Sequence, residues 1–432
     1  MKFSRLAALA GAAIVCALIS GCGDIFRPVA TPLPQPSPDP QNFRLAVFTS
    51  CELDTSSSDP NNPCKVPGAT SQVTDVNVSG DSIDGVLPVG SSPVFALVQN
   101  LAGLSATVTT ADFGNDTVTQ HTDSHTAGAA PSVSAATTIG LPAGARPMSI
   151  VTANGTYYVA ESGRNAVGVL QGFPLSLNTE IQVGQKPVNL TLLPNSKEVY
   201  VLDRDSNDVA VISTADNSLL ATVPVGTTPV WAVPSADSSR VFVVNQGSNN
   251  VSIIDATSHT VISTVAVGTS PNYAVFDARN QRVLVTNSGS NTLSVINGDP
   301  TSPNPLTVIK TIAVGTSPRS VTALADGTRI YVANTGSNSV SVISSLNLGV
   351  TKTIPVGTSP VWIASDGDST KVFTANRDSF NVSVILTSSD SEATDASGNP
   401  TRIPAPQVDP NCAPSSTTTC PRLSPIFVAV GG

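Results

Sequence analysis

Two tryptophans, three histidines and six cysteines are the side chains with the most chemistry to offer in this 432-residue sequence. Both tryptophans stand second after a proline, Trp231 after Pro229 and Trp362 after Pro360. Phe95, Tyr273 and Phe427 hold the same place after Pro93, Pro271 and Pro425. In a chain with 4% aromatics, that clustering marks either shared core or a stacking surface for sugar, peptide or another ring-bearing partner. On such a surface Asn272 and Arg319, each directly after a proline, would add polar contacts to Trp231, Tyr273 and Trp362. His121 and His125 are spaced to share a helix face, but Gln120–His125 reads as a solvated polar loop, so no metal is expected there. His259 falls in a turn. Asp366-Gly367-Asp368 superficially suggests a calcium loop, yet it sits where a hairpin turn is due and lacks a distal Glu. Signatures for haem attachment, zinc proteases, serine nucleophiles and nucleotide phosphates are missing from the sequence. No catalytic residue, metal or cofactor is expected.

Composition narrows the classes further. Only 12% of residues are charged and the net charge is -9, so the surface is built largely from Ser, Thr, Asn and Gln. A hydrophobic content of 40% excludes wholesale disorder, and the acidic balance argues against bulk binding to nucleic acid.

The first 21 residues read as an address. Lys2 and Arg5 precede a 14-residue apolar run, Leu6 to Ile19, too short for a membrane-spanning helix but suited to a secretory signal. The run closes on Leu18-Ile19-Ser20-Gly21-Cys22, which resembles the bacterial lipobox. That resemblance implies cleavage before Cys22, lipidation of its thiol (with palmitate among the acyl chains), and a membrane anchor. Gly23 after the cysteine resembles the default route to the outer membrane. Removal of residues 1–21 would leave 19 basic against 30 acidic residues, a charge of -11. Residues 22–42 then form a tether, in which prolines 28, 32, 34, 36, 38 and 40 favour an extended spacer. Four cysteines remain beyond it. Close spacing in polar loops favours Cys51–Cys64 and Cys412–Cys420 among three possible disulfide connectivities.

Residues 43–432 are organised by a repeat. Leu284-Val-Thr-Asn-Ser-Gly-Ser-Asn291 and Tyr331-Val-Ala-Asn-Thr-Gly-Ser-Asn338 are two of six such segments, which step by 42, 42, 42, 47 and 42 residues. A second motif, Val267-Gly-Thr-Ser-Pro271 and its copies ending at prolines 187, 229, 318 and 360, runs in phase. The period from Pro318 to Pro360 reads as four strands, Arg319–Ala323, Arg329–Ala333, Ser339–Ile343 and Thr351–Pro355, divided by Gly, Asn and Asp turns. Four short antiparallel strands every 42 residues are the signature of a β-propeller blade.

These segments resemble the YVTN-type β-propeller repeats of bacterial and archaeal surface and secreted proteins. Glu161 and Asp203 depart from the pattern, standing where the motif has Asn. Connector prolines at 93, 147, 187, 229, 271, 318, 360 and 425 give eight blades, with seven as the alternative if Pro93–Leu141 is not a blade. Segments Arg44–Phe48 and Ser424–Val430 are expected to meet in one mixed blade that closes the ring. The resulting expectation is an all-β, monomeric, lipid-anchored binding or scaffolding propeller of the outer membrane. Its partner would be an envelope protein or polysaccharide, with a lactonase-like or quinoprotein-like enzyme as the alternative and a nucleic-acid binder less favoured.

Overall fold

The computed structural model describes residues 45–53, 64, 71–78, 82–101, 104–125, 130–302, 304–408 and 421–431. Their strands form eight antiparallel sheets, six of four strands and two whose outermost position is split into two short pieces. Seven innermost strands begin on the connector proline itself: Pro93–Leu101, Pro147–Ala153, Pro187–Leu192, Pro229–Pro234, Pro271–Asp277, Pro318–Ala323 and Pro360–Ser365. Proline suits that place, because its missing N–H costs no ladder bond at the first residue of a strand. Each inner strand touches the next in cyclic order, and the eighth, Ser424–Val430, touches both Pro360–Ser365 and Pro93–Leu101. The ring is closed.

The closing sheet, blade 1, draws on both ends of the chain. Ser424–Val430 is its inner strand and pairs antiparallel with Leu45–Cys51, followed outward by Ser71–Asn77 and Ser82–Pro88. Blades 2 to 8 then follow in chain order, and Pro93–Leu101 does open a true blade. The protein is an eight-bladed all-β propeller with the mixed closing blade expected from its terminal fragments. None of its described helices is long and apolar enough to cross a membrane.

The core is not central. It is divided into eight clusters of buried side chains, each shared by two neighbouring sheets. Between blades 5 and 6, for example, Phe242, Val244 and Val251 pack on Val283, Val285 and Ala274. Strands two and three of blade 5 are largely buried and apolar because both of their faces meet a neighbouring sheet.

The two repeat motifs are both present because they hold each other. The last Asn of each turn adopts a left-handed conformation, φ 55° at Asn249 and 58° at Asn291, which Asn tolerates better than most residues. Its Oδ1 accepts the backbone N–H just before the next blade's proline: Ser270 to Asn249 at 2.8 Å, Ser317 to Asn291 at 2.8 Å. The serine of the following turn accepts the adjacent connector N–H, Thr269 to Ser290 Oγ at 3.1 Å. Between them the connector lies so close that a Cβ at Gly268 would stand 2.4 Å from Ser290 Oγ. Every blade junction with these residues is thereby pinned from both sides.

Candidate functional site

Because the residues after each proline lie on inner strands, they face the axis. There they line a cavity of about 570 Å³ to which all eight blades contribute. Its first ring is the residue directly after each proline, aliphatic except at Met148, Asn272 and Arg319. The next residue supplies the aromatic rings, which meet across the axis. Ring centroids lie 4.5 Å apart for Trp231–Tyr273, 5.0 Å for Tyr273–Trp362 and 5.7 Å for Trp231–Trp362. Trp362 continues to Phe427 at 4.4 Å, and Phe427 to Phe95 at 4.9 Å. Trp231, Tyr273 and Trp362 are half-buried, packing on inter-blade cores with one edge while lining the cavity with another. The sequence left open whether these rings are core or surface. They are both.

The structure brings Trp231, Asn272, Tyr273, Arg319 and Trp362 together in this one cavity. Asn272 is engaged on two sides: its Nδ2 donates to the Arg319 carbonyl at 3.1 Å, and its Oδ1 accepts from Thr286 Oγ1 at 2.9 Å. It therefore fixes the backbone under Arg319 as well as lining the wall. Burial raises the Tyr273 phenol well above its ordinary range, so it stays neutral.

The mouth was not legible from the inner-strand pattern. It is formed by turn and connector residues and carries Arg146, Lys186, Arg204 and Arg377, which with Arg319 make five cations around one cavity. Among the described lining residues none is Asp, Glu, His or Cys. Arg377 is held by Asp378 at 2.7 Å, and Lys186 lies 3.9 Å from Asp205. Arg146 lies over the Phe113 ring at 5.8 Å. Ser162 Oγ donates to the Arg146 carbonyl at 2.8 Å, fixing that corner of the rim. In a chain with net charge -9, this concentration of positive charge over an aromatic floor is the feature that sets the site apart.

Residues 215–396 match the family model of the YNCE-like beta-propeller. Over that stretch the match is in keeping with the YVTN-type resemblance of the repeats. Among solved structures, AztD from Citrobacter koseri is similar at 12% identity, covering 90% of this chain and 99% of that one with a TM-score of 0.59. A candidate 6-phosphogluconolactonase from Bacteroides fragilis NCTC 9343 is similar at 12% identity, covering 92% and 100% with a TM-score of 0.52. Likeness at this identity establishes the fold alone. No curated protein matches the chain.

Elsewhere on the propeller, Cys51 and Cys64 form the expected disulfide, with Cα atoms 5.7 Å apart. Cys22, Cys412 and Cys420 lie outside the described residues. His259 occupies a hairpin turn at φ 50° and reaches Glu198 at 3.2 Å. Asp366 accepts the Thr370 and Lys371 N–H groups, as a turn residue does. One expectation is corrected. Gln120–His125 is not a solvated loop: His121 lies on the strand Thr117–Ser124, 2% exposed, with Nε2 2.6 Å from Asp75 Oδ2 of blade 1. Polar residues concealed the strand, because a face buried against other polar groups leaves no apolar alternation to read.

Proposed function

We propose that this propeller is a non-catalytic capture module of the bacterial envelope that takes a ring-bearing anionic group of its partner into the axial funnel. The observation carrying this reading is the cavity itself: five cations and no described acidic side chain above a contiguous floor of aromatic rings. Rings offer stacking and cation–π partners, while Arg forks suit carboxylate, sulfate or phosphate groups. Binding is favoured over turnover because the described lining supplies no carboxylate, imidazole or thiol as base, nucleophile or metal ligand. The lipobox-like segment ending at Cys22 places the propeller on a lipid anchor in this reading, outer-membrane and monomeric, with an envelope protein or polysaccharide as the partner.

The chain has two tryptophans and both line the funnel, so intrinsic tryptophan fluorescence reports on this site alone. Titration with an aromatic sulfonate is expected to shift the emission, with affinity falling as salt rises. Reversing the mouth charge with Arg146→Glu and Arg204→Glu is expected to weaken that binding about tenfold or more, the equivalent of about 1.4 kcal/mol. Equal affinity for an uncharged ring of the same size would sink the reading. For the anchor, Cys22→Ser is expected to move the protein from the membrane fraction to the soluble one.

A further inference from the structure

Beside its apolar cluster, the junction of the first two blades carries a group of buried ionisable side chains. His121 holds the strand position that Leu170, Ile212, Ile254, Ile296, Ile343 and Ile385 hold in blades 3 to 8, nine residues after each turn-opening Asp, Glu or Asn. Strand alternation puts His121, Asp123 and His125 on one side, opposite Asp75 and Asp84 of blade 1. Two imidazoles thus confront three carboxylates.

Pairing accounts for only two of those carboxylates. His121 Nε2 lies 2.6 Å from Asp75, and His125 Nε2 lies 2.8 Å from Asp84. Asp123 is fully buried, and neither of its oxygens accepts a hydrogen bond. His125 Nε2 lies 3.7 Å from its Oδ1. A buried carboxylate without donors is costly, and a structure keeps one where something else satisfies it. The donor atoms of Asp84, Asp123 and His125 all lie within 4.8 Å of one another. Tetrahedral zinc with bonds of about 2.0–2.2 Å sets its ligand atoms about 3.4 Å apart, and the 2.8 and 3.7 Å separations bracket that spacing. His125 keeps 16% of its side chain exposed, which gives an ion a way in.

We propose that Asp84, Asp123 and His125 form a divalent-cation site of the zinc class, with mixed nitrogen and oxygen ligands, that clamps blade 1 to blade 2. The Asp75–His121 pair borders the site and orients its wall. One imidazole and two carboxylates leave a fourth position for water, and the mixed donor set favours zinc over calcium or magnesium. The site is independent of the funnel, whose described lining contains none of these residues.

The test is calorimetric titration of Zn²⁺ into the chelator-treated, untagged propeller. About one equivalent is expected to bind and to raise the melting temperature in a concentration-dependent way. Asp123→Asn and His125→Gln should each weaken Zn²⁺ at least tenfold while funnel fluorescence titration is unchanged. Should either variant fail to fold, X-ray absorption on the zinc-loaded parent decides: a nitrogen and oxygen shell with an imidazole signature supports the site. Sulfur ligands, no saturable Zn²⁺ binding, or binding retained within twofold in both variants would overturn it.

Discussion

A single repeat position shows how much one side chain can change. Asn245, Asn287, Asn334 and Asn376 are buried at the end of the second strand, where Nδ2 donates to polar groups five and seven residues on. Asp112 keeps the geometry by reversing the polarity, accepting from Thr117 and Thr119 at the same offsets. Glu161 is longer, and Gly168 makes room: a Cβ there would stand 2.3 Å from Glu161 Oε1. Burial, then the neighbouring Glu180, push the Glu161 carboxyl upward. Asp203 faces Asp208 instead of a hydroxyl, and burial raises its pKa to about 8. Because the folded-state value exceeds the ordinary 3.8, the folded protein holds a proton that the unfolded chain releases. This contribution is fully present below about pH 4, is lost as pH rises, and is gone above about 8. Asp203→Asn cannot ionise and can donate to Asp208 as the other blades do. It should raise stability to denaturant at pH 8.5 by about 1–3 kcal/mol while changing little at pH 4. An unchanged pH slope between wild type and variant would count against this assignment.

At the scale of the element, the connector is the critical piece. Its glycine has no left-handed requirement; what it needs is space, because the turn of the following blade closes over it. A methyl group at Gly268 would meet Ser290 Oγ and the Asn287 side chain, both under 3 Å away. Gly268→Ala is expected to cost about 1–3 kcal/mol through displacement of that turn. Double substitution with Ser290→Ala should recover part of the loss, since it removes the closest atom. Strict additivity in denaturant melts would show that the two motifs do not hold each other. The Asn half of the lock is replaced by Asp116 and Ser71, whose side-chain oxygens still accept the N–H before the next proline, and is lost at Phe380, which takes φ 56° without an amide to offer the next connector.

For the whole molecule, closure is the dominant requirement. Leu45–Cys51 is covered on its inner side only by Ser424–Val430, and Phe427 and Val428 are buried in the two cores flanking blade 1. Removing residues 424–432 would expose a strand edge and open both cores at once. Size-exclusion chromatography is expected to show aggregation, and the unfolding transition should broaden. A truncated chain that stays monomeric with the parent melting temperature would mean that the ring tolerates a gap. Closure also creates the funnel, since opposing blades must be held at fixed distance for Trp231 and Trp362 to meet.

Local repetition made the architecture readable in advance. Two motifs in phase set the strand count and the turn positions, because each is enforced by contacts within one or two blades, and they favoured eight blades over seven. Even the closing blade was legible, since its fragments carried strand patterns without partners. The aromatic position was visible too, as a periodic excess of rings. What the sequence by itself did not determine is what lies across the axis or across a junction. Arg146, Lys186, Arg204, Arg319 and Arg377 come from the connectors, turns and strands of four blades, and the circular packing of those blades gathers them around one cavity. Likewise Asp84 and His125 are 41 residues apart and become neighbours when blade 1 packs on blade 2. Composition fixed the number of charges; the circular stacking of blades decided where their fields add.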